Sequence, residues 1–400
     1  MHPSDYDHAR VTKLWAYNYR SLDEDVEVEF GPVTALVGPN GSGKSNLLDA
    51  LRFVRDALIG GLEIAVAQRL GIDRLRRAAA TRPRGMSVAV LVEHRDWKAI
   101  YDFSLGAAAG GHYRVNYERV TWWDSSDSTE DLLLVRNGKL INIPDGLAPT
   151  VVDDELTLPS VAAHPRFRPL VEALRSMRIY SIYPRELSAP QPVGKTPPLD
   201  DQGSNWAAVL RSLSAQKTSE LVAAVGKVLP DVVGLGVTTA GGYHTVYFSH
   251  RLPTGQVRHF DASQESDGTL RIAALLTALL QDEPPALIGI EEPELTVNPG
   301  LLPLLLDFIR EASERSPVVI TSHSPDLLDL VTAEEVRVVE RTGGITTAGP
   351  IEVKQREVVK ASLMGPGGLM RTGGLTREGG MRNLIDEVED SVTAIGRPRK

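Results

Sequence analysis

Three apolar runs set the frame of this chain: Val33-Thr34-Ala35-Leu36-Val37, Ala286-Leu287-Ile288-Gly289-Ile290 and Pro317-Val318-Val319-Ile320. Each is short and continuous, and each stops at a polar or glycine-rich turn. That pattern predicts buried strands. Helical spacing follows the first run, with Leu47, Leu48, Leu51, Val54 and Leu58 on one face. It appears again at Leu270, Ala273, Leu275, Leu276, Ala278 and Leu279, just before the second run. Strict alternation is confined elsewhere. Val26 to Phe30 reads as a strand near a sheet edge. Residues 87–143 read as a β-meander, with Asn137-Gly138 as a two-residue hairpin turn. Residues 184–203 are rich in Pro, Gly and Asp and read as a loop or linker. Trp206 to Leu229 returns to helical spacing, interrupted by Gly226 and ended by Pro230. A hairpin turning at Gly255 is expected within residues 241–260, and Glu335 to Glu340 supplies a further strand. The fold class is α/β.

Length and charge narrow the class. Four hundred residues suffice for two or three lobes, each with a core. With 43 Lys and Arg against 52 Asp and Glu, the net charge of −9 excludes a general nucleic-acid sponge. The chain has no cysteine, so disulfides and thiolate metal sites are ruled out. No apolar stretch approaches a membrane span, and the N-terminus has no signal-peptide pattern. A cytosolic protein without membrane contact is expected.

Between the first strand and its helix lies Gly38-Pro39-Asn40-Gly41-Ser42-Gly43-Lys44-Ser45, followed by Asn46, and all nine residues are expected to bind the nucleotide. This fits G-x-x-x-x-G-K-[ST] in its required strand–loop–helix context. Glycines let backbone N–H groups turn inward around phosphate oxygens, and the helix N-terminus adds partial positive charge. Lys44 is expected on the β- and γ-phosphates, and the Ser45 hydroxyl on Mg²⁺.

The second half of the site comes late in the chain. Ser266-Asp267-Gly268-Thr269-Leu270-Arg271 opens a helix with a polar, glycine-containing turn. The second strand then delivers Glu291 and Glu292 at its C-terminal end, where open α/β sheets place their sites. Glu291 fits a Walker B metal acid, as a longer substitute for the ordinary Asp. Glu292 fits the acid that polarises an attacking water. The third strand ends in Thr321-Ser322-His323-Ser324-Pro325, with Ser324 capping a helix and His323 expected on a γ-phosphate.

Other features have competing readings. Arg69, Arg74, Arg76, Arg77, Arg82 and Arg84 face the single acid Asp73 between residues 68 and 85. A solvated helix face is the default, and contact with a phosphate backbone the alternative. Trp122 and Trp123 read as packing residues rather than base-stacking platforms.

The order of these motifs resembles the RecF/SMC/OLD branch of ABC-type ATPases: phosphate loop, long insertion, signature-like helix, Walker B strand, histidine turn. Asn18-Tyr19-Arg20-Ser21-Leu22 and Asp201-Gln202-Gly203-Ser204-Asn205-Trp206 also resemble stretches of that branch. The resemblance implies ATP and Mg²⁺ as cofactors and an ATPase activity. It implies a homodimer that sandwiches ATP, with Ser266 and Gly268 on the partner's γ-phosphate, His323 as switch histidine and Arg20 near the phosphates. DNA, or a separate nuclease or toxin effector, would be the target. A nucleotide-dependent clamp with little hydrolysis, a transporter motor subunit and a P-loop kinase are the other readings. The signature Ser-Asp-Gly-Thr departs from the transporter form, Asn298-Pro299 stands in place of the branch's His-Pro, and no Toprim domain is evident. Gln191 is a candidate for the family's Q-loop residue, and it is left unassigned. The expected division is an N-terminal ATPase part at 1–85 and a β-rich lobe at 86–183. A linker and helical lobe follow at 184–235, then the C-terminal ATPase part at 236–345 and a tail at 346–400.

Overall fold

The computed structural model describes residues 8–378, except 24–25, 78–84, 125–128, 196, 282, 362 and 373. In chain order its strands begin with β1 (Arg10–Tyr17), β2 (Val26–Glu29), β3 (Val33–Val37), β4 (Gly85–Glu93), β5 (Trp97–Ala107) and β6 (Tyr113–Asp124). Next come β7 (Thr129–Arg136), β8 (Lys139–Asn142), β9 (Arg178–Tyr180), β10 (Gln191–Pro192), β11 (Val232–Ala240) and β12 (Tyr243–Arg251). The last are β13 (Val257–Asp261), β14 (Ile288–Glu291), β15 (Val318–Ser322), β16 (Val336–Thr342) and β17 (Ile345–Pro350).

The site is carried by a six-stranded sheet of order β17-β16-β3-β15-β14-β9. All its neighbours are parallel except the terminal β16–β17 pair. All five residues of β3 and of β15 are buried, as expected for parallel strands covered on both faces. Alternate side chains feed two cores. Leu36 and Val319 join the first, with the helix Lys44–Gly60 that follows the phosphate loop. Val33, Ala35, Val37 and Ile320 join the second, with the helices Asp267–Leu279 and Leu302–Ser313.

A seven-stranded sheet, β2-β1-β4-β5-β6-β7-β8, packs its buried face into the first core. The meander therefore does not stand apart from the N-terminal strands, because β4 pairs directly with β1. Its β7–β8 turn carries Asn137 at φ 49° and Gly138 at φ 72°, the left-handed pair that an Asn-Gly hairpin requires. Trp122 stacks on Trp97 with ring centroids 4.6 Å apart, so it is a packing residue. Glu118, fully buried on β6, accepts from Tyr101 Oη at 2.8 Å and from the backbone N–H groups of Thr157 and Leu158.

Several expected segments differ in form. Residues 184–203 are not an open linker. They hold a short helix, Pro184–Ser188, and β10, which pairs with β12. Gln191 spends its whole amide there: Nε2 donates to the carbonyls of Glu186 and Gly203, and Oε1 accepts from Ala207 N. It is a buried clamp. The helical stretch after Trp206 is two helices, Trp206–Ser212 and Ala215–Val228, because Ser214 caps the second. After Glu340 the chain is built into the fold as far as Glu378. Arg371 pairs with Asp326 and Asp329, which seats the helix Pro366–Thr372 on the short helix Pro325–Leu328. Residues 379–400 of the expected tail lie outside the described residues. No helix among the described residues is long and apolar enough to cross a membrane.

Of the four described arginines of the arginine-rich window, three pair within the chain and Arg74 alone is exposed. Arg69 is buried, lies over the Phe53 ring at 5.1 Å, and bonds Asp49 and Asp56 at 3.1 and 3.0 Å. Arg77 bonds Asn18 and faces Asp23, and Arg76 pairs with Asp73. Arg74 is exposed, whereas Arg82 and Arg84 lie outside the described residues. Removing one partner of a buried ion pair strands the others, so Arg69→Ala should cost about 3 kcal/mol. Arg74→Ala should stay within about 0.5 kcal/mol of the parent. Urea unfolding midpoints of the two variants measure this, and equal small losses would show that Arg69 is a surface charge.

Candidate active site

Strand register assembles the site. β3, β15 and β14 run side by side and in the same direction, with Val37 opposite Ser322 and Thr321 opposite Glu291. The chain leaves β3 into the phosphate loop at Gly38, leaves β15 at His323 and leaves β14 at Glu292. Lys44, His323 and the two acids thus share one sheet edge.

The loop has the shape its glycines permit. Gly41 has φ 77° and Gly43 has φ 109°, values that cost an L side chain strain. A Cβ on Gly38 would collide with the Val339 carbonyl of β16, and one on Gly43 with the Thr346 side chain of β17. The loop is pinned from outside. Thr346 Oγ1 donates to the Ser42 carbonyl at 2.7 Å and meets Ser21 Oγ at 2.7 Å, and Asn46 Nδ2 donates to Ser21 Oγ at 2.6 Å. The Asn46 side chain therefore braces the loop from behind. Thr346 carried no sequence signal, since a lone threonine in a strand looks like any other.

Lys44 Nζ donates to the Gly38 and Pro39 carbonyls at 2.7 and 3.1 Å. Burial pulls its pKa below the ordinary lysine value, while the charges of Glu292 and Glu294 push it back. Ser42 Oγ is buried without a protein partner at the same loop. An ammonium, an orphan hydroxyl, a glycine-lined turn and a helix N-terminus fit a polyphosphate. Ser45 is exposed on the first helical turn, and Asn40 and Gly41 are exposed on the loop. Arg20 sits at φ 52°, donates its backbone N–H to the Leu75 carbonyl, and places Nε 2.9 Å from Asp49 Oδ2.

Glu292 has φ 47°, and its N–H donates to both the carbonyl and the hydroxyl of Thr321 at 3.1 Å. Its carboxylate stands 3.2 Å from His323 Nδ1. Glu294 takes the Ser322 hydroxyl at 2.6 Å and the His323 N–H at 3.4 Å, and so fixes the histidine turn. Ser266 caps the helix Asp267–Leu279 by accepting from Thr269 N. Gly268 packs against the turn after β14, where a Cβ would lie 2.5 Å from the Thr296 carbonyl. Among the described residues, no hydrogen bond or ion pair joins Ser266 or Gly268 to residues 38–45. Asn298, at the departure from His-Pro, caps its own 3₁₀ turn through Gly300 N.

Arg271 is the site residue that the sequence reading passed over. It is buried, and its guanidinium donates to the carbonyls of Ile182, Glu291 and Glu292 at 2.8 to 2.9 Å. It ties the helix begun by Ser266 and Gly268 to the strained strand end that presents the acids. A basic residue on a helix opened by a phosphate-type turn pointed outward as easily as inward.

The parallel sheet, with its phosphate loop and the strand ends that carry Glu291, Glu292 and His323, has the fold of an ABC-type P-loop ATPase head. A family profile described as "AAA domain, putative AbiEii toxin, Type IV TA system" matches residues 33–329, and the chain belongs to that AAA family. Over 45 residues the chain is 49% identical to the chromosome partition protein Smc of Halothermothrix orenii and 42% identical to that of Mycoplasma genitalium. Each match spans 11% of this chain and only 4% and 5% of those proteins. Among solved structures, an Smc head bound to the C-winged helix domain of ScpA matches with a TM-score of 0.57 at 15% identity. It covers 87% of this chain and 99% of that one. An Smc head with an extended coiled coil from Pyrococcus furiosus, bound to the C-terminal domain of ScpA, matches at 0.51 and 14% identity, over 89% and 99%. These likenesses show the fold.

Arg271→Met should leave the Glu291 and Glu292 carbonyls without their cationic donor and cost about 2–3 kcal/mol. Thermal or urea unfolding of the nucleotide-free chain measures the loss. A variant as stable as the parent would show that water replaces the guanidinium without penalty.

Proposed function

We propose that the chain is an ATP-hydrolysing head that closes in pairs around ATP and acts as a switch on DNA or on a separate effector. The observation that carries this reading is the Glu292–His323 pair at 3.2 Å, on the sheet edge that also carries Lys44. Glu292 is the group that accepts a proton from the attacking water, and His323 Nδ1 stands 3.2 Å from its carboxylate. His323, beside Glu292 at the end of its own strand, would meet a phosphate oxygen. Lys44 and the loop N–H groups bind the phosphates, and Arg20 completes their surroundings. Ser45 and Glu291 would hold Mg²⁺, which supplies charge neutralisation between the β- and γ-phosphates when bound. Ser266 and Gly268 are unengaged with their own loop, which fits a contact made to the partner's nucleotide in a two-fold pair. The family description, with its toxin and Type IV system, supports an effector of the toxin kind. The Smc neighbours, seen with ScpA, support a head that engages a partner protein.

Three variants test this together. Lys44→Ala should lose ATP binding. Glu292→Gln should bind ATP, accumulate as a dimer and turn over about 10²–10⁴-fold more slowly. Ser266→Arg should bind ATP yet stay monomeric and inactive, even in the Glu292→Gln background. Light scattering with and without ATP, beside phosphate release, reads all three. Turnover by a strict monomer would remove the paired-head reading. Efficient ATP-driven dimerisation with negligible wild-type turnover would favour a nucleotide-dependent clamp.

A further inference from the structure

The metal acid of this chain is one methylene longer than the usual aspartate, and the structure shows what holds it. Arg52 lies on the helix Lys44–Gly60, seven positions beyond Ser45. Its Nη2 donates to Glu291 Oε1, to the Ile179 carbonyl and to Ser181 Oγ, each at 3.3 Å. Its Nε donates to Asp201 Oδ2 at 2.9 Å. Asp201 in turn bonds Arg55 at 2.8 and 2.9 Å, which fixes it from the other side. Arg52 and Glu291 are both largely shielded, with side chains 20% and 22% exposed.

A glutamate has one more rotatable bond than an aspartate, so its carboxylate sweeps a wider arc unless something anchors it. Arg52 is that anchor, and it is rooted in the helix whose first turn presents Lys44 and Ser45. The acid is thereby referenced to the same rigid element as the phosphate grip. The bond engages Oε1 and leaves Oε2 for a cation. Asp201 shares the guanidinium charge, so Glu291 is oriented without being neutralised alone. Ligands outside the coordinating set commonly orient metal acids in this way.

We propose that Arg52 is a positioning residue for the metal acid, turning the Glu291 carboxylate toward the Mg²⁺ site and compensating for its extra methylene. The inference rests on Glu291 being that acid. Its test uses the full chain and reads Mg²⁺ rather than turnover: the thermal midpoint at saturating ATP is followed from EDTA through a Mg²⁺ titration. Arg52→Met should raise the Mg²⁺ half-saturation about tenfold, with ATP binding in EDTA unchanged. In a Glu291→Asp background the same change should add less than about twofold, because the shorter carboxylate no longer reaches the guanidinium. Should Arg52→Met fail to fold, Arg52→Lys keeps the charge beside Asp201 but loses the forked bond, and the same rise is expected. Asp201→Asn controls for simple loosening of the segment around Asp201 and should shift the half-saturation less than Arg52→Met. Equal effects of Arg52→Met in both backgrounds, or none while Glu291→Ala shifts the titration, would overturn the proposal and leave Arg52 a structural tie. A titration unmoved by Glu291→Ala would overturn the metal-acid reading itself.

Discussion

The parallel pairing of β3 with β15, and of β15 with β14, is the constraint on which this head depends. Three segments distant in sequence become adjacent because their apolar runs pair in one register, with Val37 beside Ser322 and Thr321 beside Glu291. Slipping one strand by a single residue would exchange its two faces between the two cores. It would also move the lysine, the histidine or the acids out of line. The hydrophobic effect that buries these strands therefore sets the geometry of the polar edge.

Above that sheet, buried arginines do the joining. Arg69 ties the phosphate-loop helix to the turn after it through Asp49 and Asp56. Arg55 and Arg52 bind the same helix to the segment around Asp201. Arg271 binds the signature helix to the acid-bearing strand end. A guanidinium suits these joints because its planar fork serves several carbonyl or carboxylate oxygens at once. Each joint is specific as well as stabilising, since a stranded partner would be a buried unpaired charge or carbonyl. An acidic chain with a cluster of arginines thus uses those described at Arg69, Arg76 and Arg77 within itself.

The division between what was legible and what was not follows from the range of the forces. The phosphate loop, its strand and its helix are adjacent in the chain, and their chemistry is local: glycine torsions, a helix N-terminus, one lysine. The same holds for the Ser266 and Ser324 caps and the Asn137-Gly138 turn. These followed from residue order alone, as did the class of head, because the motif order is itself a linear property. The partners of Gln191 were illegible for the opposite reason, since its amide bonds backbone groups that only the folded chain brings to it.

By itself, then, the sequence determined the elements and the nucleotide motifs, whose determinants lie within a few residues of one another. Tertiary structure alone decided the destinations of the long polar side chains. Whether Arg69 meets water or Asp49, whether Asn46 faces the phosphate or Ser21, and whether Thr346 braces the loop from β17 depend on partners far along the chain. A long side chain carries no local signal of its partner, because charge pairing reaches across space and not along the backbone. Glu291 is the clearest case. The sequence shows an acid at a strand end, and only the fold shows the Arg52 guanidinium that donates to it.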